Sequence, residues 1–430
     1  MTLISPQHDL SAPNPITVEK TIVKSWRLPI SLGIFALLSV VLFVVLGRDG
    51  SSSFRFSSDS DFIQIPIFAL PSRLTGAVVA GTLVAIAGVS IVVGRTRRTT
   101  NVWIVSGFAA IFFSGFLTWA AVGATVPVYG IFVGTITLGV PLIFGAMGGV
   151  ISERVGVINV AIEGQLLAGA FVSALVASIT RQPFLGFFAA LFAGALVSFV
   201  LAAFAIKYFV DQVIVGVVLN VLVVGLTSFL FAQVLTPNAA FLNSPPRFER
   251  IDIPVLAEIP LIGPAMFRQT IVVYVMYAVV ALAYFGVFHT RWGLRLRAVG
   301  EHPQAADTVG ISVNRTRFWG VLLAGSIAGL GGAYYTLSEL GAFGKEMTAG
   351  YGYIALAAVI FGRWDPIRAT LAALLFGFAT NLQNILGVIG SPVPSEFMLM
   401  LPYVVTILAV VGFAGHVRGP AAAGKPYIES

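Results

Sequence analysis

Twelve long apolar runs constrain this chain more than any other feature of its sequence. They lie at about 29–46, 73–94, 102–122, 129–149, 157–179, 184–206, 212–234, 270–289, 317–337, 351–363, 367–388 and 397–414. A helix needs roughly 20 residues to cross a hydrocarbon core about 30 Å thick, whereas the strands of a membrane barrel alternate over about ten residues. Because these runs are continuously apolar, we predict an all-α polytopic membrane protein with about 10–12 transmembrane helices. The run 351–363 is short enough to be re-entrant.

Composition excludes several classes of function. Only 10% of the residues are charged, against about a quarter in soluble domains. The net charge of +7 is spread over the ends of apolar runs, not gathered on the single face that a nucleic acid would need. The absence of cysteine excludes disulfides and thiolate metal sites. Phosphate-loop, H-E-x-x-H and G-x-S-x-G motifs are also missing, so we expect no catalytic residue, metal site or bound cofactor.

Lysine and arginine concentrate in segments that the positive-inside rule places in the cytoplasm. These basic residues are Lys20, Lys24, Arg27, Arg95, Arg97, Arg98, Arg291, Arg295, Arg297, Arg315 and Arg317. Twelve crossings would keep the N-terminal segment, 1–28, and the tail, 416–430, on the same side of the membrane. We therefore predict a multi-pass protein with both termini in the cytoplasm.

One short pattern occurs twice. It is a Ser-Glu pair followed eleven residues later by glycine, and its two copies, 186 residues apart, are Ser152-Glu153 with Gly164 and Ser338-Glu339 with Gly350. In the predicted topology the helices before the two copies run in opposite directions. The spacing is therefore consistent with an inverted repeat, which is common in transporters. A chance match is the alternative.

A polar Ser-Glu-Arg triplet, 152–154, stands between two apolar runs. Asn159 and Glu163 follow within the second run, four residues apart, so we predict that they share one helix face. Polar groups in membrane segments mark pathways or face the bundle interior. Two interpretations remain open: this face lines a pathway, or it is a polar helix start near the membrane interface, with Arg154 paired to Glu153 or Glu163.

The basic segment 291–317 has the sequence of a loop holding one short helix. Pro303 suits a first helical position, Ala305 and Ala306 are strong helix formers, and Gly310 would end the helix. We predict a rigid two-turn helix that fits a groove of another protein. A basic loop without a partner is the alternative.

Both stretches resemble the permease subunits of bacterial ABC importers for nucleosides and simple sugars, which are related to the ribose and branched-chain amino-acid permeases. The first resembles the signature of these permeases at Glu153, Arg154, Gly156, Val157, Asn159, Glu163 and Gly164. The second is similar to their ATPase-coupling loop at Gly300, Glu301, Pro303, Ala305, Ala306, Gly310 and Ile311. The resemblance covers roughly 128–415 and leaves 29–127 as additional N-terminal helices of open role.

This resemblance implies a function and a set of partners. The chain would form half of the translocation pathway of an ATP-driven importer in the bacterial inner membrane, surrounded by lipid. A second, related permease would complete the pore, and a cytoplasmic ABC ATPase would bind the ATP and dock on 291–317. An extracytoplasmic binding protein would deliver the nucleoside or sugar. The chain itself would bind no ATP and no nucleic acid.

Other polar and aromatic residues in the membrane runs each have two interpretations. Asn220 lies in the middle of its run, where it either lines the pathway, as we predict for Asn159 and Glu163, or forms an interhelical hydrogen bond. Four tyrosines could stack on a solute ring or belong to an interfacial belt: Tyr334, Tyr335, Tyr351 and Tyr353.

An ion-coupled secondary transporter of a small neutral solute is the rival interpretation. Such a protein would need a repeated pair of buried carboxylates near the middle of the membrane. Glu163 and Glu339 are poor candidates for this pair, because both are predicted to lie near helix ends.

Overall fold

The apolar runs fold into helices. The computed structural model describes residues 27–58, 61, 63–95, 102–394, 396–398, 400 and 419–428, and in this part of the chain ten helices are long and apolar enough to cross a membrane. The prediction of an all-α polytopic membrane protein is confirmed. The twelfth predicted run, 397–414, lies mostly outside the described residues.

The helices and strands follow one another along the chain with short connections. The α-helices are α1 (Arg27–Val40), α2 (Ser72–Arg95), α3 (Val102–Ala120), α4 (Val128–Arg154), α5 (Ile162–Thr180), α6 (Pro183–Ala202), α7 (Gln212–Leu230), α8 (Ala239–Leu242), α9 (Ile271–His289), α10 (Arg291–Glu301), α11 (Pro303–Thr308), α12 (Val313–Tyr334), α13 (Tyr351–Phe361) and α14 (Pro366–Val388). Single π-helical turns extend four of them, at Val41–Val45, Ala203–Lys207, Phe231–Leu235 and Tyr335–Glu339. Short strands are β1 (Ser51–Arg55), β2 (Phe68–Pro71), β3 (Thr125–Pro127), β4 (Arg250–Asp252) and β5 (Arg268–Thr270).

The chain divides into two compact units, and the first comprises residues up to 52 together with 70–122. It contains α1, α2 and α3, which pack around the buried ring of Phe43. Gly115 lets α3 approach this ring, because a Cβ at that position would lie 2.9 Å from it. The Trp119 indole N–H donates to the carbonyl of Leu46 at 2.9 Å and so ties α3 to the end of α1.

The second unit comprises 53–69 and 123–430, and its centre is an antiparallel pair, α4 and α12. Gly148 of α4 faces Ala324 and Ala328 of α12, while Gly331 of α12 faces Phe144. Residue numbers rise along one helix as they fall along the other, so the two helices run in opposite directions. Small residues at such contacts allow the close backbone approach that drives helix association in membranes.

The packing around this pair is repeated. α6 packs on α12 as α14 packs on α4, and α5 lies on α12 as α13 lies on α4. With its π-turn, α12 spans 27 residues, the same length as α4. Each of these two long helices ends with the Ser-Glu pair and is followed by a non-helical break. This arrangement has the form of the inverted repeat that the spacing predicted.

The two breaks, at 155–161 and 340–350, precede α5 and α13. α13 has 11 residues, so it is about 16 Å long and too short to cross a membrane alone. We call the end of this unit that carries α10 and α11 the basic end, and the end that carries α8 and the antiparallel β4–β5 pair the opposite end.

Candidate functional site

The first break begins with a tight turn at the end of α4. The Ser152 hydroxyl donates to the carbonyl of Val157 at 2.8 Å, and the Val157 amide donates back to the carbonyl of Ser152 at 3.0 Å. Gly156 has a φ of +92°, and a Cβ there would lie 3.0 Å from the Arg317 guanidinium. Both the left-handed backbone and the close approach require glycine.

Asn159 lies within this break, before α5 begins at Ile162. The prediction that Asn159 and Glu163 share a helix face is therefore wrong, because hydropathy alone does not separate an apolar break from the helix that follows it. The Asn159 amide exchanges two hydrogen bonds with Gln165, at 3.1 and 3.0 Å, and Gln165 donates to the hydroxyl of Ser198 at 2.8 Å. All three side chains are fully buried, so their polar groups bind one another inside the bundle.

Glu163, in the first turn of α5, reaches across to the start of α13. Its Oε1 accepts from the Thr348 hydroxyl at 2.6 Å and from the amide of Gly350 at 2.9 Å. Its Oε2 accepts from the amide of Gly352 at 2.6 Å. A carboxylate at a helix N-terminus satisfies amides that have no partner within the helix and interacts favourably with the helix dipole. Glu163 therefore caps a helix from the other half of the repeat, and we call these four groups the Glu163 brace.

Asn220 of α7 makes the matching connection to the start of α5. Its Oδ1 accepts from the amide of Gly164 at 2.8 Å. Its Nδ2 donates to the carbonyl of Val160 at 2.8 Å and to the hydroxyl of Tyr353 at 3.0 Å. Asn220 thus forms the interhelical hydrogen bonds that one of its two interpretations predicted, and it links α7 to both α5 and α13.

A cavity of about 270 Å³ lies beside this junction, with both polar and apolar residues in its lining. Its lining residues are Glu163, Asn220, Val221, Val224, Glu346, Thr348, Ala349, Gly350 and Tyr353. Val221 is 68% exposed, so the cavity opens on the outward face of α7. Of the three predicted pathway residues, Glu163 and Asn220 line this cavity, whereas Asn159 lies outside its lining. The pathway role of all three stays a prediction.

The segment 291–317 contains two complete helices, α10 and α11, and the first residues of α12, where the sequence predicted one short helix. α11 begins at Pro303, in its first position, and Gly310 follows its end with a φ of +83°. The Gly310 amide donates to the carbonyl of Asp307 at 2.8 Å, and the Ile311 amide donates to that of Ala306 at 3.0 Å, which is a Schellman ending. The predicted start and end of the short helix are confirmed. The additional helix, α10, is amphipathic, and its closely spaced arginines resemble those of a basic loop in the sequence.

α11 presents part of its surface to solvent. Ala306 is buried against the unit, whereas Ala305 is exposed and Val309 is 73% exposed. Glu301, at the end of α10, is exposed as well. A short helix fixed on one side and open on the other has the form of a docking element.

The signature residues at the end of α4 lie directly against α10 and the turn before α14. Glu153 accepts a hydrogen bond from the Trp364 indole at 2.5 Å, and the Arg154 guanidinium donates to the carbonyl of Trp364 at 3.0 Å. A Cβ on Gly300 of α10 would overlap the carbonyl of Arg154. Within the described chain Arg154 forms no ion pair with Glu153 or Glu163, so the pairing that one interpretation predicted is not found.

The tail, predicted only as a cytoplasmic extension, packs on the same region. The Tyr427 hydroxyl donates to the Asp307 carboxylate at 2.8 Å, and Arg317 donates to the carbonyl of Lys425 at 2.9 Å. The Ala422 amide donates to the carbonyl of Gly300 at 2.9 Å. Tyr427 is 7% exposed. An aromatic residue in a polar tail was the only signal of this docking in the sequence.

Comparison with known families identifies the class of this membrane protein. The chain belongs to the family described as branched-chain amino acid transport system / permease component, which matches residues 131–410. No solved structure matches it.

Several known permeases are similar to this chain. The guanosine ABC transporter permease protein NupQ of Bacillus subtilis is 42% identical over 310 residues, which cover 69% of this chain and 95% of NupQ. The nucleoside ABC transporter permease protein NupC of Lactococcus lactis is 41% identical over 300 residues, which cover 67% of this chain and 94% of NupC. A putative glucose ABC transporter permease protein of Haloferax volcanii is 34% identical over 253 residues, which cover 58% of this chain and 75% of that protein.

The first two bacteria each have a second permease that is also related to this chain. They are the guanosine permease protein NupP and the nucleoside permease protein NupB, which are 26% and 23% identical to it. Permeases of this family therefore occur as two different proteins in one organism.

Proposed function

We propose that this protein is one permease subunit of an ATP-driven ABC importer and forms half of the pathway for a nucleoside. The observation that carries the proposal is the cavity between α5, α7 and the start of α13, with Glu163, Asn220 and Tyr353 in its lining, in a chain 42% identical to a guanosine permease. Two carboxylates, an amide and a phenol lie in the lining of this cavity, and ionisable groups within membrane segments often mark a pathway.

A second, related permease faces the side of α7 on which the cavity opens. This side of α7 carries exposed apolar residues, among them Val217, Val221 and Leu222. Lipid would close the cavity with hydrocarbon alone, whereas a related permease would bring polar groups of its own to the opening. The pairs of permeases in the two bacteria support this assignment.

The ATPase docks on α11 at the basic end, which lies in the cytoplasm with both termini. The exposed Ala305 and Val309 offer a small apolar contact. Arg154, Gly156 and Gly300 connect this contact to the first break and, through α5, to the Glu163 brace. ATP is bound by the ATPase, and this chain holds no cofactor. A binding protein delivers the nucleoside at the opposite end.

Reconstitution of the four-component complex in liposomes tests this function. We expect uptake of labelled guanosine that requires ATP and the binding protein and that persists when a protonophore collapses the ion gradient. Uptake that is abolished by the protonophore and independent of the ATPase would establish the rival, an ion-coupled secondary transporter. An ATPase-dead complex serves as the control.

A further inference from the structure

Three polar side chains of the cavity are already occupied by contacts within the protein. Both oxygens of Glu163 accept hydrogen bonds from the start of α13. The side-chain oxygen of Asn220 accepts one hydrogen bond and its NH₂ group donates two. The Thr348 hydroxyl donates to Glu163. These groups hold the helices together, and a solute could bind them only by displacing those contacts.

Two other lining residues remain available. Glu346 is exposed, and its carboxylate has no hydrogen bond or ion pair in the part of the chain that the structure describes. The hydroxyl of Tyr353 accepts a bond from Asn220 and keeps its own proton free to donate, while the side chain is 46% exposed.

The backbone that presents Glu346 is strained. Glu346 has a φ of +53° and Ala349 one of +45°, in the left-handed region that costs a residue with a Cβ free energy. Neither position is glycine, although glycine would relieve the strain. Such strain tends to occur where a site holds a side chain in a required position.

We propose that Glu346 and Tyr353 form the solute-binding face of this cavity. A nucleobase stacks on the tyrosine ring, and the Glu346 carboxylate accepts hydrogen bonds from N–H or O–H donors of the same nucleoside. This inference rests on the proposed function. It differs from the sequence-based assignment of the pathway residues. Glu163 and Asn220 hold together the helices that line the cavity, and the solute binds to Glu346 and Tyr353.

The chemistry of a nucleoside fits these two groups. A carboxylate accepts two parallel donors at once, and guanosine offers such a pair twice: the N1–H and 2-amino groups of the base, and the two hydroxyls of the ribose. Every base has a face that stacks on an aromatic ring. The volume of about 270 Å³ is close to the lower limit of about 300 Å³ for small-molecule sites, so the cavity admits one solute.

The test uses the complete importer in liposomes, with uptake of labelled guanosine as kcat/KM. We expect Glu346→Gln to lower kcat/KM about ten-fold, since a charge-assisted hydrogen bond becomes a neutral one. Tyr353→Leu, which removes the ring, lowers it about ten-fold, whereas Tyr353→Phe, which keeps the ring, changes it less than about three-fold. Lys345→Gln is the matched control, because it also changes one charge in the same segment but lies outside the cavity lining, and it leaves uptake unchanged.

Two analogues identify the donors that Glu346 binds. Inosine lacks the 2-amino group, and 2′,3′-dideoxyguanosine lacks the ribose hydroxyls. If the effect of Glu346→Gln disappears for inosine, the carboxylate binds the base, and if it disappears for the dideoxy compound, the carboxylate binds the ribose. Either result supports the proposal.

Two results would overturn it. One is uptake within about two-fold of wild type for both Glu346→Gln and Tyr353→Leu, well below the change expected for loss of such bonds. The other is an equal loss for all three nucleosides in Glu346→Gln, which would indicate a general defect. A wild-type complex that takes up no nucleoside contradicts the proposed function itself, and the inference falls with it.

Discussion

Glu163 joins two helices whose contacting residues are 185 to 189 positions apart in the chain. Glu163 is 6% exposed, and its carboxylate satisfies three donors, two of which are amides at the start of α13. A buried donor left without an acceptor costs about 1–3 kcal/mol, more than the net gain from an ordinary hydrogen bond. Glu163 is therefore first of all a stabilising residue of the junction.

We expect Glu163→Gln to lower the stability of the detergent-solubilised chain by about 1–3 kcal/mol. The NH₂ group of the new glutamine would face the backbone N–H of Gly350 or Gly352. Because both groups are donors, that hydrogen bond would be lost. Thermal unfolding followed by fluorescence measures the effect, with Glu346→Gln as the matched control, because its exposed carboxylate supports no contact in the described chain. Equal melting temperatures for the two variants would show that the Glu163 brace does not stabilise the chain.

At the scale of elements, the tail segment 419–428 and the helices α10 and α11 form one structure. Tail residues bind the carbonyl of Gly300 at the end of α10, the side chain of Asp307 in α11 and the guanidinium of Arg317 in α12. The tail therefore binds α11 at Asp307 and also binds the end of α10 that precedes this helix.

Deletion of residues 419–430 should accelerate hydrogen exchange in α10 and α11 while exchange in α4 and α14 stays unchanged, since the lost bonds all lie at the basic end. Tyr427→Phe removes one hydrogen bond and should give a smaller increase around Asp307. Lys425→Ala is the control, because only the backbone carbonyl of Lys425 accepts the bond from Arg317. Unaltered exchange in α11 after the deletion would show that the tail does not hold it.

α11 is the proposed contact of this subunit with the ATPase. Ala305 is exposed on this helix, so Ala305→Arg leaves the fold intact but places a long charged side chain in the contact with the ATPase. We expect the ATPase to be lost on co-purification in detergent. The matched control, Ala239→Arg, makes the same change at an exposed position of α8 at the opposite end. Retention of the ATPase by both variants would exclude α11 as its docking site.

At the scale of the whole molecule, hydropathy was sufficient to predict the class of fold. The ten long apolar helices each lie within or close to a predicted run, since burial in lipid demands a continuous apolar segment. The short run at 351–363 marked α13 as incomplete. The Ser-Glu repeat pointed to the symmetric arrangement of α4 and α12, because the same break follows each helix.

The candidate site was only partly predictable. Glu163 and Asn220 stood out as polar residues in apolar runs, but their partners did not, because a bond from Glu163 to Gly352 depends on tertiary packing. The first break was read as helix, since Ile158, Val160 and Ala161 are as apolar as α5 itself. Glu346 gave no signal, because an exposed charge at the edge of an apolar run resembles any loop residue.

The chain has no cysteine, so a single cysteine placed at the cavity beside the Glu163 brace is the only thiol of this subunit. We expect Val221→Cys, in the assembled importer, to react with a water-soluble maleimide during ATP turnover and to be protected by guanosine delivered by the binding protein. The control is Leu371→Cys in α14. Leu371 is 61% exposed but lies outside the cavity lining, so this cysteine should react slowly and show no protection. If Val221→Cys reacts no faster than Leu371→Cys and guanosine changes neither rate, the cavity is not part of the pathway.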